Sequence, residues 1–109
     1  MWTVAAAELR QRPEWQDVER MWRRAFKWAE FLSPSGHFFL RIKEGFVVAM
    51  CRVDGGVLWD VCTREGWRGH KHATAVCEAA VKWAAPRRLR AITDCTWKAA
   101  WYRRMGCDV

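Results

Sequence analysis

Two short glycine turns constrain this chain more than any other feature. Three apolar, partly β-branched runs, HFFLRIK, FVVAMCRVD and VLWDVCT, are joined by Glu44-Gly45 and by a turn at Asp54-Gly55-Gly56. Connections this short cannot carry a crossover, so the three runs must pair as an antiparallel meander. The Asp-Gly-Gly sequence is itself a strong hairpin signal.

Helical patterns lie on either side of the meander. Trp15, Val18, Met21, Trp22, Ala25, Phe26 and Ala29 recur at three- and four-residue spacing and predict a helix over 14–32, with Pro13 in its first turn and Arg12, Arg20, Arg23, Arg24 and Lys27 over much of the other side. The breaker cluster SPSG stops it. A short strand is expected over 1–4. Beyond the meander, Ala73, Val76, Cys77, Ala80, Val81 and Ala84 mark one helical face that ends before Pro86. LRAITDC, 89–95, reads as a short buried strand, and its helical link to the third run implies parallel pairing. Thr96 is placed to cap a last helix over 97–105, closed by Gly106. The order predicts one α+β, or mixed α/β, domain over 1–109, without internal repeat or linker.

Composition narrows the partners. With 51% apolar residues among 109, the chain has ample material for a core. The formal net charge of +7 suits a polyanionic partner: nucleic acid, an anionic membrane surface or a phosphorylated cofactor. A solvated basic surface accounts for it equally well. No apolar run reaches the roughly 18 residues of a membrane span, and the N-terminus becomes charged too early for a signal peptide. The five cysteines are odd in number and include no C-x-x-C pair, which fits free thiols in a reducing cytoplasm. His70 and His72 lack the closely paired partners of a structural zinc site, so no metal is expected.

The stretch WRGHKHA, 67–73, joins the end of the third run to a helix N-terminus. Unpaired N–H groups and the dipole at such a terminus favour negative charge, a glycine allows close approach, and Arg68, His70 and Lys71 add positive charge. Phosphate binding has a direct physical cause there, although many ordinary helices begin this way. With Arg68-Gly69-His70-Lys71-His72-Ala73 before the long helix and Trp101-Tyr102-Arg103-Arg104-Met105-Gly106-Cys107 in the last one, the chain resembles the GCN5-related N-acetyltransferase (GNAT) superfamily, well over 37–107 and loosely before it. The resemblance implies a central mixed sheet of about four to five strands flanked by three to four helices. It implies acetyl-CoA as co-substrate, with Arg68, Gly69, His70, Lys71, His72 and Ala73 along its pyrophosphate. It places the backbone of Val61, Cys62 and Thr63 along the pantetheine arm and thioester, and makes Tyr102 the acid that protonates the leaving thiolate.

The departures from the family pattern are specific. Lys71 replaces the loop's central glycine, Cys95 or Thr96 stands where an asparagine is usual, and Cys107 replaces the final phenylalanine. The family's last two strands are not expected here, which would leave the fifth strand as an open edge for a second copy or a protein partner. For the base that frees the attacking amine, Asp60 is the first candidate, with Asp54 and Glu65 behind it; Asp60 reads equally as an outward residue of a half-solvated strand. Cys77 reads as core. The expected activity is therefore acetylation of a small-molecule or protein amine. The alternative is an inactive GNAT-fold structural or interaction protein, for instance of a phage virion or of phage–host contact. A nucleic-acid module using Arg87, Arg88, Arg90, Lys98, Arg103 and Arg104 ranks third, because the aromatics do not interleave with basic residues on a recognisable sheet platform.

Overall fold

The structure is a computed structural model that describes residues 2–27, 32 and 35–109. The meander forms as its turns require. β2 (His37–Lys43), β3 (Phe46–Asp54) and β4 (Val57–Thr63) pair antiparallel in sequence order. Each connection is a two-residue turn with positive φ at both positions, 52° and 80° at Glu44 and Gly45, 59° and 75° at Gly55 and Gly56. Positive φ at both central residues is what a type I′ hairpin demands. β1 (Trp2–Ala5) adds antiparallel to β2, and β5 (Arg90–Ala91) adds parallel to β4, completing a five-stranded mixed sheet in the order β1-β2-β3-β4-β5. With helices α1 (Ala6–Leu9), α2 (Glu14–Ala25), α3 (His72–Ala84) and α4 (Thr96–Arg104), the fold is the α+β architecture that the resemblance implies.

The alternation of β3 divides the core in two. Met50 joins Leu9, Val18, Met21, Trp22, Phe38 and Leu40 under α1 and α2, whereas Ala49, Cys51 and Val53 join Phe39, Val76, Cys77, Ala80 and Cys107 under α3 and α4. Successive side chains of a strand point to opposite faces, so a strand buried on both faces reads as one continuous apolar run.

Several boundaries differ from those expected. α2 ends at Ala25, because Phe26 adopts φ −120° and ψ 63°; residues 28–31 of the expected helix, with Ala29, lie outside the described residues, and Leu32 is buried but not helical. The AAAEL segment forms α1, a turn of helix that seats Leu9 in the core. The expected strand over 89–95 shrinks to two residues, since β4 offers no partner beyond Leu58 and Ile92 is already exposed. Thr96 is not a cap: Cys95 occupies the N-cap of α4, with no side chain capping the helix. The outer side of β5 carries one isolated bridge, with Ala91 N–H donating to the Asp108 carbonyl at 2.7 Å and Asp108 N–H to that of Leu89 at 2.8 Å.

One irregularity shapes everything near the end of β4. Met50 pairs with Cys62 but Arg52 with Trp59, so Asp60 and Val61 together oppose Cys51. This is a bulge with one extra residue in β4, and Asp60 sits in it at φ 56°. Its carboxylate accepts from Arg52 Nε at 2.8 Å and from Trp22 Nε1 at 3.2 Å. Arg52 is buried and also donates to Asp54, to the Ser35 carbonyl and to the Ser35 hydroxyl. Removing one partner of such a pair strands the other charge. Asp60→Ala is therefore expected to cost about 3 kcal/mol, seen as a lower denaturation midpoint. Asp60→Asn should cost less, because asparagine tolerates the left-handed backbone and can still accept from Trp22.

Candidate active site

Beyond the bulge, β4 and β5 part. Their ladder holds only Val57↔Arg90 and Leu58↔Ala91, which leaves Val61, Cys62 and Thr63 without a strand on that side. Such an edge presents unpaired backbone donors and acceptors to any extended ligand laid against it. A cleft of about 440 Å³ opens there. It is lined by Val61, Cys62 and Thr63 of β4, Arg68 and Ala73 of the following loop and helix, Trp97, Lys98, Trp101 and Tyr102 of α4, and Ala25 and Phe26 at the end of α2. Six residues singled out in the sequence thus meet at one surface. Phe26, Trp97, Lys98 and Trp101 were not assigned to this site from the sequence, although Trp97 with Trp101 and Lys98 with Tyr102 are spaced four apart, the spacing that puts side chains on one helix face.

The loop beside the cleft is built on left-handed backbone. Gly66 and Gly69 have φ of 87° and 85°, and a side chain added at Gly69 would meet open space. Lys71, at φ 59°, is the N-cap residue of α3 and does not cap with its side chain. The first backbone turn bond of the helix runs from Ala75 N–H to the Lys71 carbonyl at 3.0 Å. The N–H groups of His72, Ala73 and Thr74 are thereby left at an end with positive potential, and the first turn contains no acidic residue. These donors, with Arg68, fit the phosphates of a nucleotide-type ligand.

His70, Lys71 and His72 do not act alike. His70 and Lys71 are exposed. His72 is buried, and its Nδ1 accepts from Arg41 Nε at 3.0 Å, so its proton resides on Nε2 and the ring is neutral. Burial, followed by the charge of Arg41, lowers its pKa. It can give an anion its backbone N–H, but its ring is committed to β2.

Tyr102 packs among the residues under α3, and its ring lies 5.0 Å from that of Trp101. Burial pushes its hydroxyl up to about 12, with the neighbouring Cys77 next in effect. The phenol therefore keeps its proton throughout the neutral range and can serve as a donor. Cys62 is pushed up to about 12 by burial and then by the charge of Asp60, which makes it a core thiol and not a nucleophile. Asp60, although close enough to Cys62 for its charge to be felt there, is not part of the cleft. Both its oxygens are engaged, by Trp22 and by Arg52. Asp54 faces Ser35 and Arg52, and its pKa is lowered chiefly by the Ser35 hydroxyl. Glu65 is exposed and pairs with Arg24 at 2.6 Å.

An open strand edge runs here into an uncapped helix N-terminus, an arrangement suited to an extended, phosphate-bearing ligand. The chain belongs to the Acetyltransferase (GNAT) family, whose sequence model matches residues 2–106. Neither a curated protein nor a solved structure matches it significantly. Membership supports an acyltransferase-type function. No helix among the described residues is long and apolar enough to cross a membrane.

Two outcomes are expected from this geometry. Lys71→Gly relieves a left-handed lysine and should stabilise the fold by about 0.5 kcal/mol, the relief of strain exceeding the greater chain entropy of glycine; a denaturant titration checks it. The second concerns alkali. Tyr102 and Cys62 hold their protons more tightly folded than unfolded, so the stability tied to their neutral forms is intact below pH 9, the ordinary thiol value, and is lost as pH rises towards 12. The melting temperature should fall across that window, and less steeply in Cys62→Ala.

Proposed function

We propose that this protein is an N-acyltransferase that takes acetyl-CoA as acyl donor and acetylates an amine. The observation that carries the reading is convergence: the free edge of β4, the uncapped start of α3 and the hydroxyl-bearing face of α4 border one cleft. Acetyl-CoA supplies, when bound, an activated acyl thioester. The N–H groups at the start of α3, with Arg68, hold its phosphates, and Gly69 lets the backbone come close. The backbone of Val61, Cys62 and Thr63 orients the extended arm by strand-like hydrogen bonds. Tyr102 holds a proton at Oη and gives it to the departing thiolate. Asp60 acts as a positioning residue, fixing the bulge through Arg52 and Trp22. The amine's proton leaves to water, since no carboxylate among the described residues lines the cleft around Tyr102.

That absence also favours a second reading, a GNAT fold used for binding without turnover. Calorimetric titration with acetyl-CoA, followed by an amine screen, separates the two. The acyltransferase reading expects micromolar binding that Arg68→Glu abolishes. It expects Tyr102→Phe to lower turnover by ~100-fold with affinity unchanged. Binding without turnover on any amine would favour the second reading, and no binding at millimolar acetyl-CoA would end the first.

A further inference from the structure

A second cavity of about 370 Å³ adjoins the cleft and shares Ala25, Thr63 and Arg68 with it. Its walls are unusually cationic. Arg20, Arg24 and Lys27 come from one side of α2 and the residues just beyond it, and Arg64 and Arg68 come from the chain after β4. Two of these are internally neutralised. Arg24 pairs with Glu65 at 2.6 Å, and Arg64 Nη1 pairs with Asp17 of α2. Arg20, Lys27 and Arg68 have no carboxylate partner among the described residues.

The end of a helix favours cations, which accounts for the sign of the last turn of α2. It does not account for arginines from a separate loop turned into the same cavity. Arg20 and Arg24 are moreover like charges four residues apart, an arrangement that weakens a helix. Three cations without a carboxylate partner among the described residues, around a cavity of small-molecule size, call for an anion.

We propose that this cavity is the acceptor subsite, and that the acceptor is a small amine that also carries a carboxylate or phosphate group. The inference rests on the acyltransferase reading. The anion is held by Arg20 and Lys27 at the far wall, and the amine reaches past Thr63, the residue shared with the thioester cleft. Arg68 stands between the two ligands and contributes to both. Cationic acceptors such as polyamines are repelled by the same wall.

The test is an NMR titration of the full chain, saturated with CoA so that the start of α3 is filled. The probes are γ-aminobutyrate, phosphoethanolamine, butylamine and putrescine. At least one anionic amine should bind at least about tenfold more tightly than butylamine, move the Arg20 and Lys27 signals, and outcompete putrescine. Preference for γ-aminobutyrate or for phosphoethanolamine identifies the anion. Both cations are exposed, so Arg20→Gln with Lys27→Gln leaves the fold intact and should erase the preference. Equal binding of butylamine overturns the proposal. So does movement of the Arg20 and Lys27 signals by CoA alone with the amines then excluded, since the cations would be serving the nucleotide. Failure of CoA itself to bind overturns the acyltransferase reading, and this inference with it.

Discussion

The pair between Arg52 and Asp60 is the interaction on which the rest of the structure depends. A guanidinium on a central strand is tolerated only where its donors are met, and Arg52 meets them with Asp60, Asp54 and Ser35. The extra residue in β4 makes this possible. It puts Trp59, near the Arg52 guanidinium, and Asp60 in succession on the α2 face, and it resets the alternation so that Leu58 and Val61 pack under α3 while Cys62 packs under α2. A strand re-phased in this way leaves the line of its parallel neighbour, and the ladder to β5 stops at Leu58. The cleft is thus a consequence of burying one arginine. Asp60 is tied to Trp22 as well, so the same carboxylate fixes α2 against the strand whose end it helps to open.

The loop after β4 solves a different problem. It must turn the chain from strand to helix while leaving N–H groups exposed, and it uses positive φ at Gly66, Gly69 and Lys71 to do so. A lysine in the left-handed region costs about 1 kcal/mol that glycine avoids. The side chain borders the groove between α3 and α4 and is not among those lining the tyrosine cleft. What the glycine of the family pattern supplies at this point is therefore backbone conformation, and Lys71 reproduces it at some strain. Behind the loop, the neutral ring of His72 anchors the first residue of α3 to Arg41 of β2. The uncapped end of the helix is thereby held against β2.

The legible parts of this fold were those governed by short-range rules. Glu44-Gly45 and Gly55-Gly56 dictated the meander, and the spacing of Val76, Cys77 and Ala80 dictated the buried face of α3. The relation of Arg68, Ala73 and Tyr102 was legible through the family pattern, and they do border one cleft. What was hidden depends on tertiary contact. Nothing local in VLWDVCT marks Asp60 as a bulge residue, because its left-handed backbone is set by Arg52, eight residues back, and Trp22, thirty-eight back. The shortness of β5 follows from that bulge, so LRAITDC could not reveal it. α1 is a four-residue helix without a side-chain cap, below the length at which helical periodicity can be read.

Charge links the two cavities through geometry. Thr63 and Arg68 line both, so whatever enters from the α2 side reaches the same strand end as a ligand lying between β4 and α4. The N–H groups of α3 and the cations of α2 both favour negative charge, yet they approach that point from different elements. The two walls thus offer separate sets of donors to two anionic groups, with Arg68 the one cation among the described residues common to both. On the proposed reading, an amine delivered between them enters a region of positive potential. That potential favours its neutral form, because a positive neighbourhood lowers the pKa of an ammonium group. An attacking nitrogen must give up a proton before it can react, and on the proposed reading the basic wall helps remove it where the described residues of the cleft include no carboxylate. On the proposed acyltransferase reading, the cationic composition takes over part of the work that a general base performs elsewhere.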